Sequence, residues 1–404
     1  MASLALRPQS HPVPGRGGAS LFRWLGLALL SFAIAGCVPR TERPQPQLPT
    51  EPVLRPEEPG VNPRLPADET RNRVAVLVPL SGRDAALGRS ILNAANLALL
   101  DSGGERIRIT AYDTAAAGGA VRAANDAIAE GNGLFLGPLL AEDVRAVAPI
   151  AREHDVPVIA FSNDVAVAGN GVFLMGFTPG QSIARVVSFA RSRGAESFGA
   201  IVPTNVYGER AARAMTQAVE GARGRLVGIQ TFEPSAAGVR SASTRLLAQG
   251  GVDAVLVADV PRAILPGVPV LRAASPQPRL LATERWATEG NIGANAALRG
   301  AWFAAPSDTL YNQFRTRYRA RYNAQPFRLA SLGYDAVLLT VRVAANWPVR
   351  RTFPTRALRD REGFSGVDGA FRFGRDGVAE RALEVREVTA AGTNVISPAP
   401  RGFN

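Results

Sequence analysis

The pattern of apolar and polar residues divides the chain near residue 73. Beyond this point, short apolar runs alternate with stretches in which apolar residues recur every three or four positions. Continuous apolar runs are typical of strands buried on both faces, and the three-to-four spacing is typical of amphipathic helices. The runs predict strands at 74–78, 107–112, 134–136, 157–161, 199–202, 226–230, 254–257, 279–282 and 301–304. The spaced stretches predict helices at about 87–98, 121–128, 144–151, 181–193, 208–221 and 239–249.

Two rounds of this alternation follow one another, the second starting after residue 178. They predict an α/β fold with two similar lobes, each a doubly wound parallel sheet covered by helices. Ligands of such sheets bind beyond the carboxyl ends of the strands. The loops expected to form a site therefore begin at Ser81, Gly137, Ser162, Tyr207, Asp259 and Glu284.

The amino terminus predicts export and lipid attachment. Residues 1–23 carry arginines but no acid, and 24–35 form an apolar run that is too short to span a bilayer but suits a signal peptide. Residues 34–37 (Ile-Ala-Gly-Cys) resemble the bacterial lipobox, which predicts a signal peptide over 1–36 and a diacylglycerol on the Cys37 thiol. The alternative is an ordinary secretory signal with an incidental cysteine. Since Cys37 is the one cysteine in the sequence, the chain cannot form an internal disulfide.

Residues 37–71 are predicted to be a tether. Nine of the 34 residues from 38 to 71 are prolines, and large apolar residues are almost absent. Such a segment cannot bury enough surface to fold, and its prolines favour extended polyproline II. By resemblance to proteobacterial lipoproteins, Val38 after the lipidated cysteine, in place of aspartate, indicates the periplasmic face of the outer membrane of a Gram-negative host.

The amino-acid composition excludes several classes of function. The net charge is +12 and all 46 basic residues are arginine, but these are dispersed and often lie beside acids, so we expect no nucleic-acid partner. Without lysine, neither a Schiff base nor a P-loop can form. His154 is the one histidine that follows the predicted signal peptide, and its polar surroundings predict a solvated side chain. We therefore predict no catalytic residues, no metal site and no cofactor.

The folded part resembles the leucine/isoleucine/valine-binding proteins. The motifs that carry this similarity are VAVLVPLSG at 74–82, FLGPL at 135–139, VAPIA at 147–151, VPVI at 156–159, LGYDA at 332–336 and FSGVDGAF at 364–371. The resemblance implies the type I periplasmic binding-protein fold, in which the chain crosses between the lobes three times. We place these crossings near residues 178, 306 and 348. Lobe 1 would then comprise 72–178 with 306–348, lobe 2 would comprise 179–305 with 349–390, and 391–404 would be a tail.

The same resemblance implies a set of ligand contacts. It suggests that Ser81 offers a hydroxyl and that Ser162, Asn163 and Asp164 offer polar groups. It also suggests that Tyr207 closes over the ligand and that Glu284 meets the ligand ammonium. The complete set of ligand-binding candidates is Ser81, Gly82, Leu139, Leu140, Ser162, Asn163, Tyr207 and Glu284. Each polar member could equally be a turn residue or a helix cap, because serine and asparagine are favoured there for local reasons.

Leu139 and Leu140 depart from the amino-acid binders, which usually present hydroxyl residues to the ligand carboxylate at this place. The Gly-Pro-Leu-Leu sequence instead resembles the penicillin-binding-protein activators, which are outer-membrane lipoproteins that stimulate peptidoglycan synthases by protein contact. The segments 302–306 and 314–322 also fit that branch. The first hypothesis is therefore a non-enzymatic regulator with a peptidoglycan synthase as its partner. The alternative is the substrate-binding component of an ABC importer, with a permease as partner and an amino-acid-like ligand.

Overall fold

A computed structural model of the protein describes residues 68–403. Cys37, the predicted signal peptide and most of the predicted tether lie outside the described residues. The strands are β1 (Asn72–Val78), β2 (Ile107–Asp113), β3 (Phe135–Leu136), β4 (Val158–Ala160), β5 (Val172–Leu174), β6 (Ser197–Pro203), β7 (Arg225–Phe232), β8 (Ala254–Val257), β9 (Arg279–Ala282), β10 (Trp302–Ala305), β11 (Phe364–Gly366), β12 (Gly369–Phe373), β13 (Ala379–Arg381), β14 (Glu384–Thr389) and β15 (Gly392–Ser397).

The α-helices alternate with these strands through most of the chain. They are α1 (Ala85–Ser102), α2 (Gly119–Ala129), α3 (Ala141–Glu153), α4 (Pro179–Ser192), α5 (Val206–Gly221), α6 (Ala236–Leu247), α7 (Pro261–Ile264), α8 (Val268–Arg272), α9 (Asp308–Tyr322) and α10 (Ala330–Ala344). None of the helices within 68–403 is long and apolar enough to cross a membrane.

Lobe 1 is built on a five-stranded parallel sheet with the order β2-β1-β3-β4-β5. All seven residues of β1 are buried, which explains why this strand reads as a continuous apolar run rather than an alternating one. Helices α1 and α10 cover one face of the sheet, and α2 and α3 cover the other. The pattern did not predict the last strand, β5, because three apolar residues are too few to distinguish a strand from a loop.

Lobe 2 is built on a seven-stranded sheet with the order β15-β14-β10-β9-β8-β6-β7. Strands β6 to β10 are mutually parallel, whereas β14 runs antiparallel to β10 and β15 runs antiparallel to β14. Helices α4 and α5 pack on one face, and α6 and α8 pack on the other. The prediction of an α/β fold with two parallel-sheet lobes is confirmed.

The segment after α10 differs from its predicted assignment to lobe 2. Strands β11, β12 and β13 form a small antiparallel sheet whose phenylalanines pack into the core of lobe 1. The ring of Phe373, for example, meets that of Phe173 from β5 edge to face, with centroids 5.3 Å apart. The third crossing therefore lies between β13 and β14, near residue 382, rather than near 348. Residues 392–397 of the predicted tail form an edge strand of lobe 2.

Arginine side chains hold all three crossings through main-chain carbonyl groups. Arg381 donates to the carbonyl oxygen of Met175 in the first crossing, at 2.6 Å. Arg386 donates to that of Pro306 in the second crossing, at 3.0 Å. Arg185 donates from α4 to that of Leu383 in the third crossing, at 2.9 Å. We call Arg185, Arg381 and Arg386 the hinge clamps.

Candidate functional site

A direct polar contact joins the two lobes at the crevice between them. Arg210, one turn into α5 of lobe 2, donates to Asn163 Oδ1 of lobe 1 at 3.1 Å and lies 3.0 Å from Asp164 Oδ2. Asn163 and Asp164 follow β4, so they lie at the carboxyl edge of the lobe 1 sheet, where ligands of such folds bind. Arg145 from α3 reaches the same Asp164 oxygen at 2.5 Å. One carboxylate thus receives a guanidinium group from each lobe, and we call the Arg210 contact the crevice bridge.

Ser162 and Asp164, which follow β4, also make hydrogen bonds within their own loop. Ser162 is buried, and its hydroxyl accepts the Asp164 N–H at 3.2 Å. Asp164 caps the short 3-10 helix Val165–Val167 by accepting the Ala166 N–H at 3.2 Å. Asn163 is exposed and uses its amide oxygen in the crevice bridge. The structure therefore places Ser162 and Asn163 at the crevice, where both already have protein partners.

Tyr207 and Glu284 lie close together in lobe 2. The Tyr207 hydroxyl donates to Thr283 Oγ1 at 2.8 Å, and the Arg285 guanidinium lies 4.7 Å from the centre of the tyrosine ring. Burial, reinforced by the nearby Glu284, raises the pKa of Tyr207, so its hydroxyl stays a donor. Glu284 accepts a hydrogen bond from the Ser182 hydroxyl of α4. Both predicted ligand contacts are thus engaged with groups of their own lobe.

Desolvation changes what Glu284 can offer a ligand. Burial raises the pKa of its carboxyl group above the usual range, although the Ser182 hydroxyl opposes this shift. A carboxyl group that resists ionisation is a weaker partner for an ammonium group than a solvated carboxylate. The neighbouring Arg285 lies 3.1 Å from Asp259 Oδ1, so the loops after β8 and β9 are tied to each other.

The loop after β1 is a turn held by its own lobe. Asp113 at the end of β2 accepts the Leu80 N–H at 2.7 Å and the Ala115 N–H at 2.9 Å. Although burial opposes the change, these backbone donors and Ser81 lower the pKa of Asp113. Ser81 and Gly82 are exposed, and Gly82 adopts a left-handed φ of 69° that glycine accommodates without strain. Both residues lie beyond the carboxyl end of β1, as predicted.

The start of α3 is unsuited to a ligand carboxylate. Leu139 is buried, and Leu140 directly precedes the helix without a side-chain cap. The first turn carries Glu142 and Asp143, which already supply negative charge to the backbone N–H groups there. Burial raises the pKa of Asp143, and the adjacent Glu142 adds to this shift. A bound anion would add a further negative charge at this place.

Sequence reasoning missed the residues that complete this site. They are Arg145, Ser182, Arg210 and Thr283. Of these, Thr283 could have been found, because it directly precedes the candidate Glu284. Arg210 carries no such signal, since its partners lie 46 and 47 residues away in the other lobe. Across residues 68–403, the structure contains no group of three histidine, cysteine or acidic side chains that could hold a metal ion.

Comparison with known proteins agrees with this architecture. The family model described as "Periplasmic binding protein" matches residues 72–393. An uncharacterised protein of Rickettsia prowazekii is 25% identical over 142 residues, which are 35% of this chain and 38% of that protein. The chain thus matches well under half the length of this curated relative.

Two solved structures illustrate the range of proteins that share the fold. A Rhodospirillum rubrum protein assigned to branched-chain amino acid ABC transport has a TM-score of 0.70 and 21% identity, covering 81% of this chain and 100% of its own. The C-domain of LpoA from Haemophilus influenzae, described as a regulator of PBP1A, has a TM-score of 0.65 and 18% identity, covering 80% of this chain and 100% of its own. At these identities the similarity shows the fold alone. With the family model spanning both lobes, the chain belongs to the periplasmic binding protein family and has its type I, two-lobed fold.

Proposed function

We propose that this protein is a lipid-anchored, non-enzymatic regulator of a peptidoglycan synthase of the penicillin-binding-protein class. The two-lobed domain acts as a docking module, and its lipidated Cys37 and tether hold it at the periplasmic face of the outer membrane. Confinement by the tether raises the effective concentration of the domain near its partner. Docking favours the active state of the synthase by binding that state more tightly.

The observation that carries this proposal is the crevice bridge. Arg210 links the lobes directly through Asn163 and Asp164. Tyr207 and Glu284, the groups expected to grip an amino acid, are engaged by Thr283 and Ser182. A ligand would have to replace these contacts, whereas a partner protein can use the joined surface as it stands.

Two further features support the proposal. Leu139 and Leu140 replace the hydroxyl residues of amino-acid binders, and the acids of the following helical turn disfavour a ligand carboxylate. The likeness to the LpoA C-domain shows that this fold also occurs in a protein described as a regulator of a penicillin-binding protein.

Reconstitution with a purified peptidoglycan synthase of the same organism tests the proposal. We expect the protein to increase the rate of glycan polymerisation or peptide cross-linking, and to be retained by the immobilised synthase. Arg210→Ala should weaken the stimulation because it releases the crevice bridge. Arg213→Ala, which removes an exposed arginine of the same helix, is the matched control. Absence of both binding and stimulation would contradict the proposal.

An importer component is the second candidate, because the fold is shared with the ABC-transport protein of Rhodospirillum rubrum. Thermal denaturation with leucine, isoleucine, valine and other amino acids separates the two. A tight ligand in large excess stabilises its protein by about 3–4 kcal/mol, which is easily measured. A saturable shift that disappears in Tyr207→Ala would place a ligand in the crevice and favour the importer. We expect no shift that depends on Tyr207.

A further inference from the structure

A second recess lies at the opposite edge of lobe 1, around the amino ends of β1, β3 and β4. Its volume is about 530 Å³, which is within the range of small-molecule sites. We call it the base pocket. Its lining comes from four stretches of chain, at 68–73, 128–133, 154–156 and 347–352. It is separate from the crevice, because the amino and carboxyl ends of parallel strands lie at opposite edges of a sheet.

Two neighbouring residues at the start of β1 fix the two walls of the base pocket. The Asn72 amide donates to the carbonyl oxygen of Trp347 at 2.9 Å and accepts the Arg350 N–H at 3.2 Å. Arg73 donates to the carbonyl oxygen of Glu130 at 2.9 Å. The wall that contains Arg350 and the wall that contains Glu130 are therefore attached to adjacent residues of one buried strand.

The wall on the Glu130 side contains a buried asparagine whose amide is oriented by its neighbours. Asn132 is 3% exposed, and its amide nitrogen donates to the carbonyl oxygen of Ala127 at 2.8 Å and to the Tyr112 hydroxyl at 2.7 Å. A carbonyl group can only accept, so the amide nitrogen must face Ala127 and the orientation of the amide is fixed. Asn132 Oδ1 then has no hydrogen-bond partner among residues 68–403. Since Oδ1 is itself buried, Asn132 positions the Tyr112 hydroxyl rather than contacting a ligand.

The same wall carries a carboxylate. The Tyr112 hydroxyl donates to Glu130 Oε2 at 2.8 Å. Burial, followed by the charge of Glu130, raises the pKa of Tyr112, so the phenol keeps its proton and remains the donor in this contact. The hydrogen bonds therefore run in one direction, from Asn132 to Tyr112 to Glu130. Glu130 is the last acceptor in this series, and its carboxylate suits an ammonium group, while the Arg73 guanidinium of the same wall is directed to the Glu130 carbonyl oxygen.

The other wall offers guanidinium groups. Arg350 and Arg351 belong to the turn that follows α10, and both line the pocket. Arg350 has a left-handed φ of 63°, an uncommon conformation for a residue with a side chain, and the Asn72 contact holds it there. Its recorded ion-pair partner, Glu69, is 3.9 Å away and 82% exposed, so this contact is weak. Guanidinium groups in such a setting suit a carboxylate.

We propose that the base pocket binds a small zwitterion, namely a short peptide with a free ammonium group and a free carboxylate. The ammonium group meets the Glu130 carboxylate, and the ligand carboxylate meets Arg350 and Arg351. This site is independent of the regulatory function proposed above, since it uses neither the crevice nor its residues.

Calorimetric titration of the purified protein with alanyl-alanine tests both halves of this recognition. Acetylation of the peptide amine removes the ammonium group, and amidation removes the carboxylate. Each derivative should bind about tenfold more weakly, because each loses a hydrogen bond to a charged group. Failure of the free dipeptide to bind at millimolar concentrations, or equal binding of the acetylated peptide, would overturn the proposal.

Variants assign the binding to the base pocket. Arg351→Gln should weaken alanyl-alanine binding about tenfold, and Glu130→Gln should do the same while still accepting from Tyr112. Arg356→Gln is the matched control, because Arg356 is an exposed arginine of the same segment that does not line the pocket. Loss of binding in Arg210→Ala, with Arg351→Gln unaffected, would place the peptide in the crevice and overturn the proposal.

Discussion

Arginines connect the two lobes at the crevice and at the hinge, but their surroundings differ. Arg381 and Arg386 of the hinge clamps are 8% and 6% exposed, whereas the Arg210 side chain of the crevice bridge is 20% exposed. If Arg210 moves away, Asp164 keeps Arg145 of its own lobe as a partner. Arg381 and Arg386 are instead buried and donate to main-chain carbonyl oxygens. The comparison indicates a molecule that can separate at the crevice while its three crossings stay together.

The buried charges behind the first crossing explain this difference. Asp335 and Asp368 have no exposed surface, and the charge of Arg381 acts on both. Arg328 lies 2.5 Å from Asp368 Oδ1, and Asp335 accepts the Val367 N–H at 2.7 Å. Removal of Arg381 would leave Arg328 beside Asp368 but would take away a positive charge that acts on both buried carboxyl groups, which is costly in a buried site. The hinge should therefore be far more sensitive to substitution than the crevice bridge.

The largest effect is expected for Arg381→Met. This variant removes both the donor to Met175 and the cation that faces Asp335 and Asp368. Loss of a hydrogen bond from a buried charged group costs about 1.5–3 kcal/mol of unfolding free energy. Urea denaturation at neutral pH measures this loss. Arg375→Met, at an exposed position nearby, should change the unfolding free energy by less than about 0.5 kcal/mol. Equal small effects in both variants would contradict the proposed role of the hinge clamps.

A change of pH is expected to have an intermediate effect on the unfolding free energy. Burial, and then the charge of Asp368, raises the pKa of Asp335 to about 7 from an ordinary value of 3.8. The folded state then binds more protons than the unfolded state between these values, so the contribution of Asp335 lowers the unfolding free energy as the pH rises from about 4 to 7. Above the folded pKa this contribution no longer changes.

Asp335→Asn isolates that contribution, since an amide oxygen can still accept the Val367 N–H. Urea denaturation at a series of pH values should show a flatter dependence in the variant than in the wild type. Asp126→Asn, at a carboxylate whose side chain is 55% exposed, is the control and should keep the wild-type slope. An unchanged slope in Asp335→Asn would show that another group controls the pH dependence.

The smallest effect on stability is expected for Arg210→Ala. A partly exposed ion pair contributes about 1 kcal/mol or less, and Asp164 retains Arg145. We expect this variant to change the conformation more than the unfolding free energy. Its radius of gyration in small-angle X-ray scattering should be larger, and amide exchange at 163–167 should be faster. Arg213→Ala should change neither quantity. The opposite result would be that Arg381→Met opens the lobes without unfolding them and Arg210→Ala does not. The crevice bridge, rather than the hinge, would then be the firmer connection between the lobes.

The sequence was most informative where burial imposes a simple pattern. Strand β1 is buried along its whole length, so its apolar run identifies it without knowledge of its neighbours. The loops that follow such strands could likewise be located, which brought Ser162 and Tyr207 into consideration. Strands β11 and β13 have three residues each, too few for a pattern to show which lobe their side chains enter. The third crossing was misplaced for this reason.

The polar contacts were less accessible to sequence reasoning for a different reason. Arg210 contacts residues of the other lobe, and no spacing in the sequence around it indicates that these residues are close. Asn132 follows Gly131 and reads as an ordinary turn residue. Its unsatisfied oxygen becomes visible only when the positions of Tyr112 and Ala127 are known. Hydrogen-bond satisfaction depends on three-dimensional neighbours and therefore requires a structure.

The hinge clamps donate hydrogen bonds to the main chain of the crossing residues rather than to their side chains. The acceptors at Met175, Pro306 and Leu383 are carbonyl oxygens, which every amino acid supplies. The residues at these three positions can therefore change during evolution without loss of the hydrogen bonds at the crossings, provided that the three arginines remain. We therefore expect many substitutions to be tolerated at the three acceptor residues. Few should be tolerated at the three donors, Arg185, Arg381 and Arg386.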